Sequence, residues 1–205
     1  MPDMLRTMSQ LLGHDPRYTP RLVLRPFRRK DTSPVHEAVR ASLPDLAEYL
    51  PWAVNYQRSV TAQFVKDSVG AWASGRAFDF SIRSQDDIDR HLGNVSVWFT
   101  SRANAVGEVG YWVRSDMVGQ GIGTEATARV LQVAFEELHM HRITTRIATG
   151  NVASERIVQK LGFLKEGTLR DEVKVAGRWL DHSVWGLLDR EWRYERRRYE
   201  TEAWA

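Results

Sequence analysis

The chain has no cysteine. Disulfides, thiolate nucleophiles and zinc–cysteine sites are thereby excluded, and nothing requires an oxidising compartment. Long apolar runs are also missing: none approaches the roughly 18 residues that a membrane helix needs. The first residues, MPDMLRTMSQLLGHDPRY, hold no sustained apolar core and no cleavage-site pattern. No signal peptide is expected, and a cytoplasmic location is the default. There is no internal repeat and no low-complexity block. Lysine is sparse beside arginine, and the formal net charge is only +3. A small positive excess suits an anionic ligand as well as weak nucleic-acid contact, and charge alone does not separate the two.

What is present is an ordinary globular composition, 42% hydrophobic and 27% charged over 205 residues, which is enough for one domain. Residues 1–18 are polar without a clear period and read as an extension. Residues 19–189 read as the domain, and the arginine- and aromatic-rich residues 190–205 as a solvated tail. Arg21-Leu22-Val23-Leu24-Arg25 alternates like a strand that Pro26 stops. Thr32-Ser33-Pro34 predicts a helix start, with the helix running to about residue 42. Leu46 to Trp52 reads as an aromatic loop or short helix. Ser59 reads as the cap of a helix carrying Val60, Phe64, Val65, Val69 and Trp72, with Gly75 as its stop. Phe78, Phe80 and Ile82, then Val95, Val97 and Phe99, then residues 107–113 predict three antiparallel strands.

The second half alternates helix and strand. Thr127, Val130, Leu131, Ala134, Phe135 and Leu138 make one apolar stripe, with Glu125, Arg129, Gln132 and Glu136 on the other face. Arg142 to Ala148 reads as a strand. Ala153, Ile157, Val158 and Leu161 stripe a second helix that Gly162 stops. Gly177-Arg178 is a hairpin turn into Trp179 to Leu188. That order implies an α/β domain with a mixed sheet.

Between the 107–113 strand and the first of those helices lies Val118-Gly119-Gln120-Gly121-Ile122-Gly123-Thr124-Glu125-Ala126. Glycines at alternate positions leave backbone N–H groups unobstructed at a helix N-terminus, which is a site for phosphate or pyrophosphate. A Walker-type loop would need lysine after the last glycine, and Gly123 is followed by Thr124. A dinucleotide fingerprint would need its third glycine one position later and an acidic residue about 20 positions on. Positions 138–150 hold no carboxylate, so both patterns fail.

The run from Gly107 to Gly167 resembles the acetyl-CoA-binding core of GNAT-type N-acetyltransferases, a superfamily marked by Gln/Arg-x-x-Gly-x-Gly/Ala after a strand. Asn151-Val152-Ala153-Ser154 is similar to the Asn-x-x-Ser of its ribosomal-protein N-terminal acetyltransferase branch, the RimJ/RimL-like enzymes. Lys160-Leu161-Gly162-Phe163 and Glu166-Gly167 match the end of the same core. Leu43-Pro44-Asp45-Leu46, Pro51-Trp52-Ala53 and the strand Arg21 to Pro26 look like earlier parts of that branch. The resemblance covers about residues 18–188. It departs at Val118, where the superfamily usually places Gln or Arg.

The resemblance implies a mixed, mostly antiparallel sheet flanked by helices, with a splayed strand pair holding CoA. The pyrophosphate of acetyl-CoA would rest on Gly119, Gln120, Gly121, Ile122, Gly123 and Thr124, beside Val118, with Arg114 or Arg156 assisting. Pantetheine would lie along Tyr111, Trp112 and Val113, with Asn151 bonding its amide. Ser154 would hydrogen-bond the departing CoA thiolate. Glu108 would be the base, or an ordinary strand carboxylate, with Asp171 and Glu172 as alternatives. Trp52 and Tyr49, with Glu172, would border the acceptor. No metal is expected.

The acceptor implied is a protein N-terminal α-amine, as on a ribosomal protein. A small-molecule amine (antibiotic, polyamine or amino acid) is the alternative acceptor. A non-catalytic acetyl-CoA-responsive or RNA-binding module stands beside both. The branch also implies a homodimer, and Arg193 to Arg198 could touch ribosomal RNA.

Overall fold

The alternating segments of the first half form strands that pair in the order of the chain. In this computed structural model, which describes residues 12–204, β1 (Arg17–Tyr18), β2 (Leu22–Pro26), β3 (Ala77–Ser84), β4 (His91–Ser101) and β5 (Val106–Val113) lie side by side. Each is antiparallel to the next. Between β2 and β3 run α1 (Thr32–Tyr49) and α2 (Arg58–Ala73). The second half adds α3 (Ile122–Gln132), β6 (Arg142–Ala148), α4 (Val152–Lys160), β7 (Leu164–Val175), β8 (Arg178–Leu188) and α5 (Asp189–Thr201). The described residues thus form one eight-stranded sheet in the order β1-β2-β3-β4-β5-β6-β8-β7. Only β5 and β6 are parallel, and α3 is the crossover that a parallel neighbour requires. The mixed, mostly antiparallel sheet expected from the sequence is what forms.

The pairing of β5 with β6 is brief. Val106, Gly107 and Glu108 face Arg142, Ile143 and Thr144, and the register ends there. Beyond it β5 keeps β4 on one side as far as Val113, while β6 continues against β8. A wedge therefore opens between the two strands, and residues 109–113 present an unpaired edge to it.

The apolar stripe of α3 is buried as its spacing predicts: Thr127, Val130, Leu131 and Ala134 have no exposed surface. The helix widens into a π turn over Val133–Glu137. Glu125 departs from expectation. It is 1% exposed, not on a solvent face. Its carboxylate accepts from the Thr19 hydroxyl at 2.6 Å and from the Arg21 Nε at 2.7 Å.

Four other boundaries differ from the sequence reading. α1 does not stop near residue 42 but continues to Tyr49, with Pro44 inside it. Ser59 does not cap α2: Gln57 holds that position, and Ser59 lies in the first turn. The turn between β7 and β8 is Ala176-Gly177, both with positive φ, because Val175 pairs with Arg178. Within the expected extension, residues 1–11 lie outside the described residues, but Leu12 is buried in the core and Arg17–Tyr18 pair with β2.

The C-terminal residues are not a solvated tail. They fold as α5 because Trp192 and Tyr199 are one helical face that the core covers, at 3% and 1% exposure. Trp192 stacks on Phe135 at 5.2 Å, and the Tyr199 hydroxyl donates to the Leu161 carbonyl at 2.6 Å. Arg196 of that run pairs with Glu136 at 3.0 Å.

Candidate active site

The glycine loop sits where β5 ends. Gly121 is the N-cap of α3 at φ 81, a left-handed conformation that costs any other L-residue roughly 1–2 kcal/mol. No side chain caps this helix, so its first N–H groups have no side-chain acceptor. Gly123 has a different reason to be glycine: a Cβ there would lie 2.8 Å from the Ile157 Cδ1 of α4. Arg156, the residue before Ile157 on α4, is exposed. Arg114 is engaged elsewhere, bonded to Asp116 at 2.8 Å and Glu37 at 3.4 Å. The side chains of Val118 and Gln120 are exposed at the loop surface.

The wedge has a defined lining. The Arg114 N–H bonds across to the Leu92 carbonyl of β4. Strand alternation then turns the backbone groups of Trp112 toward β4 and those of Tyr111 and Val113 toward the open edge. On the far side, Asn151 caps α4, its side chain accepting from the Ser154 N–H at 3.1 Å. The Tyr111 hydroxyl reaches over to donate to the Ser154 carbonyl at 3.0 Å. Burial holds the Tyr111 phenol well above its ordinary pKa, so it remains a donor. The Ser154 hydroxyl itself has no partner among the described residues.

Side chains alternate along β5. Val109, Tyr111 and Val113 face the main core, while Glu108 and Trp112 face the side of α1 and α2. Glu108 is neither exposed nor free. Its two oxygens accept from Arg146 at 3.1 Å each, and Arg146 also donates to Glu172 at 2.8 Å. Both oxygens of the expected base are thus engaged by Arg146 in this structure. Glu172 is held by the same arginine, and Asp171 stands at positive φ with its N–H bonded to Asp181 at 2.9 Å.

Beside Trp112 lies a cavity of about 280 Å³. Its walls come from α1 (Val35, Val39), the Pro51–Ala53 turn (Trp52), α2 (Phe64), the intervening Tyr56 and Trp112 itself. Trp52 meets Trp112 at 6.4 Å between ring centroids. Asn94, which pairs in register with Trp112, forms part of the floor, and its Oδ1 has no hydrogen-bond partner. Of the two aromatic residues expected at the acceptor, Trp52 lines this cavity, while Tyr49 ends α1 and does not; Tyr56 does.

Residues 21–164 match the family model described as the acetyltransferase (GNAT) domain. The chain belongs to the GNAT acetyltransferase family. Two Bacillus subtilis relatives, YdaF and YjcK, are 36% and 39% identical over 104 and 113 residues, or 51% and 55% of this chain. Their names assign them, provisionally, as a ribosomal N-acetyltransferase and an N-acetyltransferase. The alignments span 57% and 62% of those relatives, about three-fifths of their length. Mycobacterium smegmatis RimJ, solved in complex with CoA-disulfide, superposes with a TM-score of 0.77 at 26% identity, covering 86% of this chain and 87% of its own.

Within this GNAT domain, sequence reasoning missed the residues that other elements bring to the site. Arg21, just before β2 and 99 positions away, donates to the Gln120 carbonyl of the loop at 3.0 Å. Its only sequence signal is an arginine in an alternating strand. Asn94 and Tyr56 give no local signal, because the cavity exists only once α1, α2 and the sheet are packed.

Proposed function

We propose that this protein is an acetyl-CoA-dependent N-acetyltransferase that transfers acetyl by direct attack of a primary amine, and that the amine is the N-terminal α-amine of a protein. The observation that carries this is the unpaired β5 edge, which leads directly into an uncapped helix N-terminus. An extended acyl-pantetheine arm adds to such an edge as a strand would. The N–H groups from Gly119 to Thr124, with Arg156 assisting, hold the pyrophosphate. Val118 contributes backbone only.

Acetyl-CoA supplies the activated acetyl group. The Val113 N–H, turned to the open edge, stabilises the negative charge that develops on the thioester oxygen. As the C–N bond forms and the C–S bond breaks, the Ser154 hydroxyl donates to the leaving sulfur, and the amine proton passes to solvent. No strong base is required: an α-amine with a pKa of about 7.7–8.0 is roughly a tenth neutral at pH 7, against about 0.04% for a lysine. The cavity wall contains no carboxylate to attract a polyamine or aminoglycoside. Relatives named for ribosomal proteins support a ribosomal-protein acceptor acetylated in the cytoplasm.

Mass spectrometry of protein N-termini in cells with and without the gene tests the reading. A defined set of N-termini that loses acetylation supports it. Unchanged N-termini, with purified protein acetylating small amines alone, reject the protein acceptor.

A further inference from the structure

The cavity beside Trp112 is more apolar than an amine alone needs. Val35, Val39 and Phe64 wall it, and Trp52 and Val60, 37% and 36% exposed, stand at its mouth. Its volume of about 280 Å³ exceeds the roughly 150 Å³ in which an apolar pocket can hold a benzene ring. One polar group interrupts the apolar wall on the sheet side. Asn94 is 7% exposed, its Nδ2 donates to the Ser96 hydroxyl at 3.3 Å, and its Oδ1 is left without a partner. Buried amide oxygens ordinarily have one.

Position gives the cavity its meaning. Its floor residues Asn94 and Trp112 are an opposed pair on β4 and β5, and the next residue, Val113, turns its backbone to the open edge. Charge narrows the occupant further. Tyr56 bonds His36 at 2.8 Å, and burial, then Arg40 and Arg58, lower the His36 pKa. These two arginines, near enough to act on His36, add positive charge on this side of the cavity.

We propose that this cavity is the specificity pocket for the first residue of the acceptor. It takes a medium or large apolar side chain (Leu, Met or Phe), and Asn94 Oδ1 accepts an N–H of the same residue's amine. This rests on the N-terminal acetyltransferase reading above. The amine held by Asn94 lies one strand from the β5 edge on which the thioester carbonyl is bound, and the side chain is the handle that places it there.

The test is acetylation of a peptide series differing only in residue one: Leu, Met, Phe, Ser, Gly and Lys. Discrimination by an apolar pocket should give kcat/KM at least 10-fold higher for the first three than for Ser or Gly. Val39→Phe, which fills the cavity from α1, and Val60→Trp, which blocks its mouth from an exposed position, should each bring that ratio close to one. Calorimetric CoA binding by both variants reports that the fold and the donor site survive. Equal kcat/KM across the series overturns the proposal. So does a ratio that neither variant changes while CoA still binds. Transfer to small aryl monoamines with no transfer to any peptide also overturns it. If CoA binds and no amine of any kind is acetylated, the acetyltransferase reading itself falls.

Discussion

The Arg21 guanidinium closes on the Glu125 carboxylate at 2.6 Å, and so ties the residue just before β2 to the first turn of the helix that the glycine loop feeds. Glu125 is buried, while the Arg21 side chain remains 55% exposed. The same guanidinium holds the Gln120 carbonyl, so one side chain fixes the loop and neutralises a carboxylate beneath the proposed phosphate site. Arg21→Ala leaves Glu125 bonded to the Thr19 hydroxyl but uncompensated near bound anion. CoA affinity is expected to fall about tenfold by calorimetry. Tm is expected to fall as well, because a buried carboxylate that loses its charge partner costs roughly 3–5 kcal/mol. Unchanged CoA affinity would show that the loop needs no tether.

Ser154 and Asn151 are separable. The bonds that fix Ser154 are backbone ones, from its N–H to Asn151 and from Tyr111 to its carbonyl. Ser154→Ala therefore leaves the geometry in place and is expected to lower kcat by about 10–100-fold with CoA affinity within a factor of two. Asn151→Ala removes a helix cap and is expected to cost about 1 kcal/mol of stability as well as CoA affinity. A Ser154→Ala enzyme with wild-type kcat would remove the hydroxyl from the reaction.

The half of the site proposed to hold CoA was legible as local structure, because its elements are consecutive. Strand, glycine loop and helix follow one another from Gly107 to Leu138. Asn151 and Ser154 are a cap and its third helical residue, so spacing alone places them. The acceptor half is assembled from α1, the Pro51–Ala53 turn, α2 and β4, whose proximity is a property of the sheet order. Trp52 was found there by resemblance, whereas Asn94 and Tyr56 could not be. Glu108 shows the other limit. Its place on β5 was readable, but Arg146, 38 positions away on a parallel neighbour, decides what its carboxylate does. The C-terminal arginines concealed the Trp192 and Tyr199 spacing that makes α5 part of the core.

If the amine loses its proton to solvent, the acceptor sets the pH profile. kcat/KM for a peptide should rise with pH through about 7.7–8.0, the range of a free α-amine. His91, in contact with Trp112 at 5.6 Å, adds no limb, because burial and then Arg83 push its pKa down to about 3. Glu108→Gln loosens Arg146 and is expected to lower kcat a few-fold with the limb unmoved. A limb that shifts in Glu108→Gln would return Glu108 to the role of base.

Acid stability should report on Asp31, the buried carboxylate between two arginines. Arg25 holds it at 2.7 and 2.8 Å and Arg83 at 3.2 Å, and the Arg28 N–H donates at 2.7 Å. Burial alone would raise its pKa. The Arg25 and Arg28 hydrogen bonds and both guanidinium charges outweigh burial and hold it below 3.8. With the folded value below the unfolded one, its contribution is fully present above about pH 4 and is lost as pH falls through the lower folded value. Asp31→Asn leaves Arg25 and Arg83 facing each other unpaired. It is expected to cost about 3–5 kcal/mol at pH 7 and to flatten the stability curve below pH 4. Urea midpoints of both proteins between pH 7 and pH 2.5 check this, and parallel curves would show that the acid transition belongs to other carboxylates.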